Sequence, residues 1–474
     1  MMSNLTWCLI LLAVLAILTF LVHRYARTVF VLVLCHNVVW AGALALIATN
    51  LIRYRPATAG AWLTLGAGIV AFDIGAAAVA LLLARRRERP SQPRWGAWRA
   101  QQTTFAATRP VFYVASALYA LGFAVYLVSV HLRFGIGTLL LHPAAIRSAH
   151  GTSYLETVPL PARILLYLGP LLFVLLVYRA GLDRPFPIAV RIVGALALAA
   201  SMLALLQRSN IVIAVLLWVA VLVSQRWSSR SDAAAAPRRG LARYWQRLPR
   251  AVQVIAGVAV LGLGALIVFQ GVGGALNKVG QESLRSGVVA PALARSGLTS
   301  PFQYYTAAPM AFLQLAGSEN HDWPPERVRG VFVVGDWNPQ TWGASTFGSV
   351  LKVVPGAPHV DAISPFINTG VPTNVYTWME PFYRDFRLPG VIVGTLLLGA
   401  LFGWLFVARF RSQTVFWISA VCMTTVFLAP FATRIGSTLI LSLIVFAAAI
   451  TLVSRWLTAR RTAAAPEPLE EPVP

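Results

Sequence analysis

Acidic side chains are scarce in this chain: 16 Asp and Glu stand against 39 Lys and Arg, and charged residues make up only 12% of 474. Soluble domains carry roughly 25% charged residues, so a water-facing globular protein is excluded as a description of the whole. Cysteine is scarcer still. Cys8, Cys35 and Cys422 all lie in apolar runs, which leaves no disulfide framework and no CxxC metal site. There is no Walker A loop, no GxSxG elbow and no HExxH helix, so three large hydrolase classes lack their motif. The loop pairs His321–Asp322 and His359–Asp361 do not have metal-ligand spacing, and neither a metal nor another cofactor is expected. No internal repeat is found, which weakens an inverted-repeat transporter.

Long apolar runs fill the space. The chain is 58% hydrophobic, and several uncharged stretches approach the roughly 20 residues that cross a bilayer as a helix. Helices are the spanning element, because lipid offers no partner to an open strand edge. The reading is an all-α polytopic integral membrane protein of about eleven spans: 5–22, 29–50, 60–84, 111–130, 164–178, 188–206, 211–224, 251–270, 388–408, 414–430 and 437–454. With the N-terminus outside, 24 of the 39 basic residues fall on the inner side, including "RRRERPSQPRWGAWRA", and the C-terminus lies inside. The first span lacks a basic n-region and reads as a retained anchor rather than a cleaved signal peptide. The net charge of +23 is explained by topology and anionic lipid, not by nucleic acid. The outer face remains positive as well, which suits an anionic substrate there.

The spans divide the chain into a membrane bundle (1–270), a large outer loop domain (271–387), three further spans (388–454) and a disordered cytosolic tail (455–474). The loop is about 117 residues long and holds half of the sixteen carboxylates. Within it, "GGALNKVGQESLRSGVV" has helical charge spacing. "SPFQYYTAAPMAFLQLAG" is apolar enough to lie on the membrane or to pack a small domain. A shorter outer loop carries His142, Arg147, His150 and Glu156.

The stretch "TNVYTWMEPFYRDFRLPG", Thr373–Gly390, sets ionisable groups directly against an apolar span. On a helix Glu380 and Arg384 share a face at i, i+4, while Asp385 sits about 100° away. They read either as a salt-bridged cap at the membrane boundary or as a carboxylate base beside an anion clamp. Arg208, with Asn210, and Arg434 lie in two short outer turns, where they are either ordinary exposed arginines or further members of that clamp. Arginine offers planar, bidentate donors suited to phosphate. Asp73, inside the third span, is either functional or paired with a neighbouring arginine.

"NVYTWMEPFYRDFRLPGVIVGTLLLGALFGWLF" resembles the signature region of the bacterial oligosaccharide repeat-unit polymerases, the O-antigen (Wzy-type) polymerase family. "FQYYTAAPMAFLQLAG" is similar to that family's Tyr-Thr stretch, and "LLQRSNIVIAVLLWVAVLV" to its short Arg-Ser turn. The resemblance covers roughly the last 280 residues. One departure stands out: Arg387 occupies the place after Asp-Phe where the family usually has Gly.

The resemblance implies a GT-C-like layout and an inner-membrane enzyme working on its periplasmic face. It would join undecaprenyl-diphosphate-linked oligosaccharides, with the lipid diphosphate leaving and no metal required. It implies Arg208, Arg384 and Arg434 as the diphosphate clamp, Asp385 as base and Glu380 as the alternative base. Tyr304, Tyr305, Asn374, Tyr376, Trp378 and Tyr383 are then the sugar contacts, unless the aromatics form the interfacial belt. Expected partners are the lipid-linked donor and acceptor, the bilayer, a chain-length regulator and a flippase. Rival expectations are an O-antigen ligase, a glycosyltransferase using lipid monophosphate sugars, and a polysaccharide transporter or flippase.

Overall fold

The structure is a computed structural model and describes residues 2–87, 107–135, 137–138, 158–178, 181–205, 208–226, 288–296, 298–317, 343–351, 367–431 and 436–463. Helices dominate these residues: α1 Asn4–Tyr25, α2 Phe30–Ala48, α3 Ala59–Arg87, α4 Arg109–Phe134, α5 Leu160–Leu166, α6 Leu168–Val177, α7 Ile188–Ala204 and α8 Arg208–Arg226. There follow α9 Pro291–Arg295, α10 Thr299–Gly317, α11 Gly348–Leu351, α12 Glu380–Ala408, α13 Gln413–Leu428 and α14 Thr438–Ala463. The only strands among the described residues, β1 Ile367–Asn368 and β2 Pro372–Thr373, pair antiparallel around Gly370, whose φ of 107° is open to glycine.

Seven described helices, with α5 and α6 counted as one, are long and apolar enough to cross a membrane. Ile188–Ala204, Asn210–Gln225 and Gln413–Leu428 are apolar but shorter. This is a multi-pass helical membrane protein. Ten of the eleven expected spans coincide with helices, and the eleventh, 251–270, lies outside the described residues.

Loop hydrogen bonds show which helix ends meet. At one end, here the upper, Asn4 Nδ2 donates to Arg55 O, Arg55 N to Thr369 O, and Trp378 N to Ala429 O. At the lower end Thr108 N donates to Ser454 Oγ, Arg109 N to Asp183 Oδ1, and Arg409 Nε to Ser224 O. Within α1–α8, with α5 and α6 taken as one, and within α12–α14, successive membrane helices therefore alternate in direction. The starts of α3, α8 and α12 all lie at the upper end.

The seam between α3 and α12 is the tightest contact in the bundle, and glycine makes it. A Cβ on Gly68 would stand 2.6 Å from Met379 Sδ and 2.7 Å from Val391 Cγ1; one on Gly403 would stand 2.9 Å from Ala76 Cα. At Gly75 and Gly399 it would fall on the carbonyl oxygens of Leu396 and Phe72. Between membrane helices the attraction comes from such close backbone approach, since lipid is as apolar as the side chains. The two helices run parallel and share their upper ends.

Elsewhere polar side chains bind helices together. Tyr119 and Ser201 hydroxyls meet at 2.6 Å between α4 and α7. Arg191 on α7 donates to Leu176 O and Val177 O, both at 2.6 Å, satisfying carbonyls left over at the end of α6.

The Tyr-Thr segment forms α10 and packs on the membrane helices. Tyr305 donates to Val39 O on α2 at 2.7 Å, Thr306 meets the Tyr54 hydroxyl at 2.5 Å, and a Cβ on Gly317 would stand 2.9 Å from Thr58 Oγ1. Its own Met310, Ala311, Phe312 and Leu313 are wholly buried. Residues 271–287, 318–342 and 352–366 of the loop, with the expected helix around Glu282, lie outside the described residues.

Candidate functional site

The polar stretch after β2 takes its shape from short-range hydrogen bonds. Val375 N turns back to Thr373 Oγ1 at 3.2 Å, and the chain then enters the bundle with Trp378. Ahead of the N-cap Met379, Thr377 makes a tight turn, accepting from Glu380 N through its carbonyl and from Met379 N through Oγ1. Glu380 sits in the first turn, where the helix dipole favours a negative charge.

α12 is two helical pieces. Phe386 (φ −140°, ψ 17°) and Arg387 (φ 55°, ψ −145°) leave helical geometry, and Pro389 restarts it. Phe382 of the first piece then folds onto Gly390 and Gly394 of the second. Arg387 thus holds a backbone conformation that suits glycine, the residue the resembled family carries there.

Ahead of the kink, the first helical piece sets Glu380 and Arg384 on one face and Asp385 on another. Arg384 Nε donates to Glu380 Oε1 at 2.8 Å, as the i, i+4 spacing requires, and its guanidinium lies 5.8 Å from the Tyr376 ring centre. Glu380 is 5% exposed in its side chain and Arg384 18%. Asp385, wholly buried, faces the other way. Its Oδ1 accepts from Ser345 N at 3.1 Å, and its Oδ2 from Thr346 N at 2.8 Å and Thr346 Oγ1 at 2.5 Å. That carboxylate latches the 343–347 turn to the kink.

The aromatics are less open than expected of a sugar platform. Tyr376 and Trp378 are each 1% exposed. Burial pushes the Tyr376 phenol well above its ordinary range, with Glu380 adding to the rise and Arg384 opposing it. Tyr383 donates to Ala316 O and has Arg387 over its ring at 5.4 Å. Tyr305 packs on Phe431, and burial raises its phenol too. Asn374 is half-buried, and Tyr304 shows the largest open ring of the set.

Of the expected clamp, Arg384 is part of this cluster. Arg208 opens α8 at the same end of the bundle, and Arg434 lies outside the described residues. Asn210, wholly buried two residues into α8, has neither amide atom hydrogen-bonded among the described residues. Arg53, Arg55, Arg163, Arg295 and Arg387 also belong to the upper end, against the two acids Glu380 and Asp385 among the described residues there. The described part of this end is strongly positive. No group of three or more metal-ligating side chains occurs among the described residues. The loop pairs around His321 and His359, and residues 142–156, lie outside them.

Sequence reasoning singled out Asp73 and missed its partner. Asp73 Oδ1 meets His36 Nδ1 at 2.9 Å inside the bundle, rather than an arginine. The signal was the polar pair His36-Asn37 set in the otherwise apolar α2. No family model, curated protein or solved structure matches the chain.

Proposed function

We propose that this protein joins lipid-diphosphate-linked oligosaccharide repeat units into a polysaccharide by glycosyl transfer at the periplasmic face of the inner membrane. The observation that carries the reading is the Glu380–Arg384 pair, braced on Tyr376 at the head of a membrane helix in a positive setting. A fixed guanidinium at the level of lipid headgroups suits a diphosphate anchored in the bilayer.

In this reading the acceptor sugar hydroxyl attacks the anomeric carbon of the donor, and the bond from that carbon to the diphosphate oxygen breaks. Negative charge gathers on the departing lipid diphosphate, where Arg384 is already placed, with Arg208 and Arg434 as its candidate companions. The hydroxyl proton passes to a carboxylate. Glu380 takes that role better than Asp385, whose two oxygens already accept three hydrogen bonds from the 345–346 turn. A diphosphate arriving beside Arg384 draws the guanidinium from Glu380 and frees that carboxylate for the proton. Asp385 acts by fixing the kink. Tyr304 and Asn374 are the sugar contacts best placed by exposure.

A second reading, a proton-coupled transporter of the same lipid-linked sugar, is favoured by the buried His36–Asp73 pair, since intramembrane ionisable pairs mark many transport paths. A gel of surface polysaccharide from cells lacking this chain separates the readings. Collapse from a long ladder to a single attached repeat unit supports polymerisation. Unattached polymer on its lipid carrier points to a ligase, complete loss of surface sugar to a transporter, and an unchanged ladder contradicts all three.

A further inference from the structure

Inside the bundle, α2 and α3 hold a hydrogen-bonded set that the proposed chemistry does not use. Trp40 donates its indole N–H to His36 Nε2 at 3.1 Å. With Nε2 accepting, the ring proton sits on Nδ1 and is donated to Asp73 Oδ1. Both nitrogens are engaged, so the imidazole cannot turn. Its ring lies 4.3 Å from Phe72 and 5.5 Å from Trp378, the latter at 31° between planes.

Trp378 belongs to the link between β2 and α12 rather than to either membrane helix of this set. It stands two residues from Tyr376 and two from Glu380, and its backbone N–H reaches Ala429 O at 3.1 Å. Apolar packing alone would be cheaper in a bilayer than a buried acid and imidazole. What the polar set adds is one fixed ring orientation.

We infer that His36, oriented by Asp73 and Trp40, is a positioning residue: it is the seat that holds Trp378 and thereby places the Tyr376–Arg384 segment at the upper end. The mechanical link stands whatever the protein does. Its consequence, a shortened polysaccharide ladder when the seat is lost, rests on the polymerase reading.

The test reads the segment itself in the full-length protein in membranes. A cysteine at Asn374 reports on the segment, and one at exposed Arg295 serves as control. Each is labelled with a water-soluble maleimide, the native cysteines being buried. His36→Ala is expected to raise the labelling rate at 374 about tenfold by favouring local opening, and to leave 295 unchanged. Asp73→Asn keeps an oxygen that accepts from Nδ1–H and is expected to label at the parent rate. His36→Phe fills the same space without the nitrogens, and is expected to raise labelling at 374 should the alanine variant fail to reach the membrane. An unchanged rate at 374 in both His36 variants, or an equal rise at 374 and 295, overturns the inference. So does an Asp73→Asn rate as high as that of His36→Ala. Because labelling needs no substrate, its failure is distinct from failure of the polymerase reading.

Discussion

The long helix α12 has Arg384 in its first turns and Arg409 at the cap of its other end, and the two are held in opposite ways. Arg409, at the lower end, is 5% exposed and lies between the rings of Phe406 and Phe410, at 3.8 and 4.3 Å. It donates to the carbonyl oxygens of Ser224, at 3.3 Å, and Phe406. Neutral acceptors and aromatic faces surround it, and the result is a bolt between α12 and α8. Arg384, at the upper end, is paired with a carboxylate and retains 18% exposure. The carboxylate makes it tolerable to hold a cation at the boundary before substrate arrives, and exposure lets an anion approach. One arginine serves the fold, and the other, in this account, serves the chemistry.

The sharpest way to break that contrast is a pair of variants read by two assays. Arg384→Lys keeps the charge and can still pair with Glu380 but loses the planar fork. Polymer formation is expected to fall about 10²–10³-fold, while thermal unfolding in detergent shows stability within about 1 kcal/mol of the parent. Arg409→Met reverses the pattern. Losing two hydrogen bonds from a buried cation costs about 3 kcal/mol, with polymer per folded molecule unchanged. Equal behaviour of the two variants in either assay would dissolve the distinction.

Asp385 sharpens it next. Asn at that position turns an amide N–H₂ toward the donors of Ser345 or Thr346 and costs about 2 kcal/mol. Stability and polymer formation should fall together, because the carboxylate works as a latch. A large loss of polymer at unchanged stability would instead return Asp385 to the role of base. The smallest effect is expected at Arg387. Replacing it with Gly relieves a positive φ at the kink and raises stability by about 1 kcal/mol, less the loss of its contact with the Tyr383 ring, with activity retained.

The membrane helices were legible in the sequence because length and lack of charge are properties of a single run. The i, i+4 pairing of Glu380 with Arg384 was legible for the same reason. What escaped were features that depend on how runs meet. α12 is broken at Phe386 and Arg387, where Phe382 folds onto Gly390 and Gly394 across a kink that no local pattern announces. Asp385 finds its donors some forty residues upstream, in a turn without periodicity. His36 and Asp73 face each other only because α2 and α3 are rotated to suit, and Trp378, an apparent interfacial ring, is drawn into the bundle by them.

The most direct test of the account is to incubate the purified protein with an undecaprenyl-diphosphate-linked repeat unit in lipid vesicles. Oligomers of the unit are expected, with one lipid diphosphate released for each bond formed, and both products fall about 10²–10³-fold with Arg384→Lys. Units that remain single, or that only change leaflet, would contradict the account.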